Sequence, residues 1–160
     1  MNQFMVEPES ELVFDLKVRE MCKFCKRYGK KATCPPHIDS FEYYSRLLPR
    51  YAYGIFYYEK FTTEGDYFEL GRNSSLKIHK KILSERNRLF EGGHYFIVGF
   101  GAGSCKLCER CSFPCSIPEK ALIPLEASGI NIVEILGKKG IKLDFPVKEH
   151  FYRVGALFYG

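Results

Sequence analysis

The chain has 160 residues, 46% of them hydrophobic and 16% aromatic, and a formal net charge of +5. That is one domain's length with enough apolar material for a core, which excludes a disordered chain. The charge is too modest for a dedicated nucleic-acid binder, and no apolar stretch approaches the roughly 20 residues of a membrane span. The acidic start Met1–Glu9 lacks a basic region followed by an apolar run. The expectation is therefore a cytoplasmic protein without a membrane association.

In chain order, Glu11 to Lys17 alternates Leu12, Phe14 and Leu16 with polar residues and predicts a short strand. Asp39 and Glu42 form a capping-box pair for a helix carrying Phe41, Tyr44, Leu47 and Leu48, which Pro49 stops. Tyr51 to Phe61 predicts a buried strand. Ser74 to Glu91 predicts a helix with an apolar stripe of Leu76, Ile78, Ile82, Leu83, Leu89 and Phe90, ended by Gly92-Gly93. His94 to Phe100 predicts a strand. Ser116 and Glu119 bracket Pro118 at the start of a further helix that Gly129 ends. A short helix near Ile132 to Leu136 and a strand from Tyr152 to Tyr159 complete the reading. The alternation predicts a single layered α/β domain over residues 1–160 with a mixed, partly parallel sheet. If the strands Glu11–Lys17 and His94–Phe100 run parallel, the two cysteine loops that follow them meet at one sheet edge.

The seven cysteines form two groups. In a reducing compartment they are not a disulfide framework, and the odd count agrees. Cys105, Cys108, Cys111 and Cys115 have the spacing C-x2-C-x2-C-x3-C, the run by which bacterial ferredoxins hold cubic iron–sulfur clusters. Two-residue gaps let a tight loop aim three thiolates at three corners of one cube. Zinc sites instead pair two C-x2-C knuckles across a longer gap. Cys22, Cys25 and Cys34 fall one short of a closed site. The fourth ligand is His37, Cys115 crossing from the other group, or none, and by the two-cluster ferredoxin rule the crossing has a slight edge. One or two clusters of the [4Fe-4S] type are expected, with zinc as the alternative.

Cys22-x2-Cys25, Cys34-Pro35-Pro36 and the run Cys105–Cys115, leading into Pro118-Glu119-Lys120-Ala121 and Glu126-Ala127-Ser128-Gly129-Ile130, resemble a family of small cysteine-rich proteins. This is domain of unknown function 2284, described as predicted metal-binding proteins of methanogenic archaea and anaerobic bacteria. The resemblance implies metal binding by the seven cysteines and an anaerobic setting, and implies no particular reaction.

Of the remaining residues, His79 is read as a solvated surface residue among Lys77, Lys80 and Lys81. These lysines with Arg86 and Arg88 make a basic helix face, read chiefly as solvated and alternatively as a dock for an acidic partner. Gly99–Gly103 lacks the dinucleotide-binding fingerprint. The function expected is an iron–sulfur protein that transfers electrons, or a redox or assembly component serving a redox protein or larger anaerobic enzyme complex. The alternative is a zinc-stabilised module that binds protein or RNA.

Overall fold

A computed structural model of the chain describes residues 1–143 and 147–160. Five strands, β1 (Asn2–Val6), β2 (Tyr53–Thr62), β3 (Ile97–Gly101), β4 (Ile123–Pro124) and β5 (His150–Tyr159), form one sheet in the order β1-β2-β5-β3-β4. β3 and β4 are parallel and the other pairings are antiparallel, so the fold is mixed α/β with a partly parallel sheet, as the sequence predicts. Among the described residues five α-helices accompany it: α1 (Pro8–Glu11), α2 (Leu16–Glu20), α3 (Phe41–Leu47), α4 (Tyr67–Glu91) and α5 (Ile132–Lys138). No helix among the described residues is long and apolar enough to cross a membrane.

β5 lies inside the sheet and is buried on both faces, so it reads as a near-continuous apolar run. Val154, Ala156 and Phe158 join a core with Phe56, Phe100, Leu48, Tyr44 and Leu136. Leu157 faces the other way, into a core with Ile55, Tyr57, Ile78 and Ile82. Period-2 alternation of the strands thus feeds two apolar layers. α4 supplies the second layer and presses close to β5. A Cβ at Gly155 would lie 2.6 Å from Ile78 Cγ2 and 2.9 Å from the Phe100 carbonyl.

α4 starts seven residues before the predicted Ser74. Asp66 caps it by accepting from the Glu69 N–H, and Gly93 at φ +94° lets the chain leave it. Its inner face includes Ser74, Ser75 and His79. His79 is buried, contrary to the solvated reading, and its Nε2 donates to the Lys120 carbonyl at 2.6 Å. Ser75 Oγ donates to the Ala102 carbonyl at 2.6 Å, and Arg72 to that of Lys106 at 3.3 Å. One helix face thereby grips both ends of the segment that carries the second cysteine group.

Two predicted elements are replaced. The strand at Glu11–Lys17 does not form: Asp15 accepts from the Lys17 N–H and caps α2, leaving only Phe14 in an isolated bridge with Ile130. The helix expected after Ser116 gives way to a turn, to β4 and to a 3-10 turn, Leu125–Ser128. Pairing of Ile123 and Pro124 with Phe100 and Gly101 outweighs the local capping signal, and Pro124 sits on the outermost strand, where a missing N–H is tolerated.

Candidate metal centre

The first cysteine group lies in a chain of nested turns, not at the end of a strand. Cys22 is in a 3-10 turn, Met21–Phe24, that continues α2, and the Cys25 N–H donates to the Cys22 carbonyl at 3.1 Å. The Gly29 N–H donates to the Pro35 carbonyl at 2.8 Å and closes the loop around Cys34, which is buried. The Arg27 N–H donates to the Cys25 sulfur at 3.4 Å. The Pro35–Pro36 and Phe113–Pro114 peptide bonds are both cis.

α2 and this turn are clamped onto a distant segment. The Asp15 N–H donates to the Gly129 carbonyl at 2.8 Å, the Asn131 N–H to the Val13 carbonyl at 2.8 Å, and the Arg19 guanidinium to the Ala127 carbonyl at 2.9 Å. Between the clamped pieces is a cavity of about 330 Å³ lined by Cys22, Cys25, Cys34, Ser104 and Glu126, with an apolar wall that includes Val18 and Ile132. Burial pushes the Cys34 thiol up to about 11 and also raises that of Cys22. Both are therefore neutral thiols at pH 7 unless a cation takes the proton's place.

The second group follows β3. Cys105, Cys108, Cys111 and Cys115 all line one smaller hollow, together with Lys31, Ala32 and Thr33 of the first loop. The Ala32 N–H donates to the Cys111 sulfur at 3.2 Å, so the two loops touch although 79 residues separate the partners. The contact arises from α2, the turns and the clamp, and not from two parallel strand ends as expected.

Thr33 stands between the groups. Its Oγ1 is buried and has no hydrogen-bond partner. The hydroxyl favours the ionised form of the neighbouring Cys34 sulfur only slightly, as the smallest of the influences on it, and no hydrogen bond of normal geometry forms. An orphaned donor beside a hollow with four free thiols fits a negatively charged inorganic group there. All seven cysteines are free. Among the described residues no three His, Cys, Asp or Glu side chains are gathered closely enough to hold a single metal ion.

The fourth-ligand candidates separate. His37 Nε2 donates to the Gly29 carbonyl at 3.0 Å, and its ring lies 4.7 Å from that of Phe113, away from the cavity. Cys115 lines the hollow of its own group. The sequence reading assigned no part to Glu126, whose carboxyl burial raises above the ordinary value. The basic face of α4 is largely engaged within the molecule: Lys77 pairs with Glu59 at 2.6 Å, while Lys81 and Arg88 share Glu85 at 2.6 and 2.7 Å.

A family model described as "Predicted metal-binding protein (DUF2284)" matches residues 7–159. No curated protein and no solved structure matches the chain significantly.

Proposed function

We propose that this chain, which belongs to the family of predicted metal-binding proteins (DUF2284), binds iron–sulfur clusters at two adjoining sites and works in electron transfer or in redox or assembly steps of a larger enzyme system. Cys105, Cys108, Cys111 and Cys115 would hold one cluster. Cys22, Cys25 and Cys34 would hold the second. When bound, such clusters supply one-electron redox chemistry at a potential set by burial and by hydrogen bonds to sulfur.

One observation carries the choice of iron–sulfur over zinc. Four cysteines in the C-x2-C-x2-C-x3-C run line a common hollow. Four thiolates on one zinc at about 2.3 Å would stand only about 3.8 Å apart. A cube of iron and sulfide holds them further apart and is reached by the C-x2-C-x2-C-x3-C spacing. The N–H donors of Ala32 and Arg27 on cysteine sulfur, and the free Thr33 hydroxyl, are the kind of surroundings that stabilise negative charge on such sulfur. The alternative of a zinc-stabilised module working through a basic helix has less support, because most of those charges already have acidic or carbonyl partners.

The reading places the protein in the cytoplasm with a redox protein or larger enzyme complex as partner. Anaerobic purification followed by assays of iron, sulfide and zinc tests it. Brown protein that bleaches on reduction and contains iron and sulfide in equal amounts is expected. Colourless protein with stoichiometric zinc after anaerobic reconstitution refutes it.

A further inference from the structure

Three cysteines line the larger cavity, and the question is what completes them. We infer that Glu126 supplies the fourth ligand, a carboxylate oxygen, to the cluster held by Cys22, Cys25 and Cys34. This inference rests on the iron–sulfur reading above.

Glu126 lines the same cavity as the three cysteines. Its backbone is fixed before any metal arrives. It is the second residue of the 3-10 turn Leu125–Ser128, whose other three residues are buried. Ser128 Oγ donates to the Leu125 carbonyl at 2.6 Å, and the Gly129 N–H to the Glu126 carbonyl at 3.0 Å. The next residues carry the clamp: Ala127 and Gly129 accept from Arg19 and Asp15, and Arg19 is three residues before Cys22. The carboxylate and the first two cysteines are therefore presented to one space by hydrogen-bonded backbone, not by a mobile loop.

The two earlier candidates are committed elsewhere, His37 to the Gly29 carbonyl and Cys115 to the other hollow. Backbone amides, its own and that of Gly103, lie against the Glu126 carboxyl, and Arg153 and Lys106 stand near it. Among the described residues no cation reaches it at salt-bridge distance. The nearby cations make their hydrogen bonds to neutral groups, Arg153 to Ser74 Oγ at 3.0 Å and to the Gly71 carbonyl at 3.2 Å and Lys106 to the Ser104 carbonyl at 2.9 Å, so they act on Glu126 only from beyond contact distance. An iron corner not taken by cysteine, in the cavity that this carboxyl lines, is a cation within its reach. Carboxylate is a harder ligand than thiolate and is exchanged more readily. The iron it holds is thus the position that an incoming oxygen or nitrogen donor would occupy from the cavity.

The test compares the full chain with E126L and E126C after anaerobic reconstitution. The wild type should hold about eight irons, two cubes' worth. E126L should lose about one iron per chain on mild ferricyanide oxidation and develop the paramagnetic resonance signal of a three-iron cluster, at least tenfold above the wild type. E126C should retain all its iron, because a fourth thiolate closes the corner. Wild-type protein labelled with carboxyl-13C glutamate should show a 13C hyperfine coupling in pulsed resonance of the reduced cluster. This last measurement decides the matter even if E126L does not fold. Unchanged iron retention in a folded E126L, or no 13C coupling in the wild type, overturns the Glu126 assignment and leaves the iron–sulfur reading intact. Wild-type protein with zinc and no iron overturns both.

Discussion

Gly129→Ala probes the junction that joins the two halves of the larger site. Gly129 has φ +90°, where a Cβ costs about 1–2 kcal/mol. An added Cβ would also lie 2.3 and 2.4 Å from the Phe41 ring carbons Cδ2 and Cε2, far inside contact distance. Phe41 is held by α3 and by an edge-on contact with Phe14 at 6.4 Å, so the ring cannot simply swing away. Overpacking of this kind costs about 1–3 kcal/mol, and reduced freedom of the unfolded chain returns about 0.4–1 kcal/mol. The expected net loss is about 1–5 kcal/mol. Gly93 is the matched control, with φ +94° and nothing within 4 Å of the added Cβ. Gly93→Ala should cost only about 1 kcal/mol. Urea unfolding of the reduced, metal-free proteins measures both, and Gly129→Ala with Phe41→Ala closes a double-mutant cycle. A coupling of about 1 kcal/mol or more is expected. Equal losses for the two glycine variants, with no coupling, would refute the close approach of Phe41.

Thr33→Val should act with opposite signs in the two forms of the protein. In the metal-free form it removes a buried, unpartnered hydroxyl and should stabilise by about 1 kcal/mol. In the loaded form it removes a donor beside the second hollow, so the midpoint potential measured by redox titration should fall; an unchanged potential contradicts the donor role. Chelation should leave the circular dichroism of α4 and the sheet in place, because neither apolar core includes a cysteine, while limited proteolysis should open residues 22–34 and 105–115. Complete unfolding on chelation contradicts this. Burial holds the His79 imidazole below its ordinary value of 6.5, so the unfolded chain takes up a proton first as pH falls. Its contribution is full above about pH 6.5 and is lost as pH falls through that value toward the folded one, at no more than about 1.4 kcal/mol per pH unit. His79→Gln keeps an N–H for the Lys120 carbonyl and should flatten the change in urea midpoint between about pH 7.5 and about pH 5.5. An unchanged slope shows that His79 does not set it.

β2, β5, α5 and the middle of α4 were legible because each carries a strong period with nearby punctuation. β1 was missed: Asn2-Gln3-Phe4-Met5-Val6 is too short and too mixed to stand out, and it exists because Phe4 stacks on Phe56 at 5.3 Å across the β1–β2 pair. Leu12, Phe14 and Leu16 do alternate, but Asp15 caps a helix in the middle of the pattern, and local capping prevails over a three-residue period. His79 was misread from its lysine neighbours. Its place one residue after Ile78 and three before Ile82, on the buried side, was the better guide. The cysteine spacing displayed the candidate donors, but only the fold reveals which of them share a hollow. Glu126 had no local signal at all, since its relation to Cys22 runs through backbone hydrogen bonds between segments over 100 residues apart.

The hydrogen bond from the Ala32 N–H to the Cys111 sulfur has a thermodynamic consequence. Such a bond strengthens when the sulfur is ionised, as it is when it holds a metal. Loading the proposed second site would therefore help to order the first loop, and an ordered first loop would present its donor to the second site. Linkage requires the two effects to be equal in free energy. Whatever factor occupancy of one proposed site would contribute to the other's affinity would be returned in full.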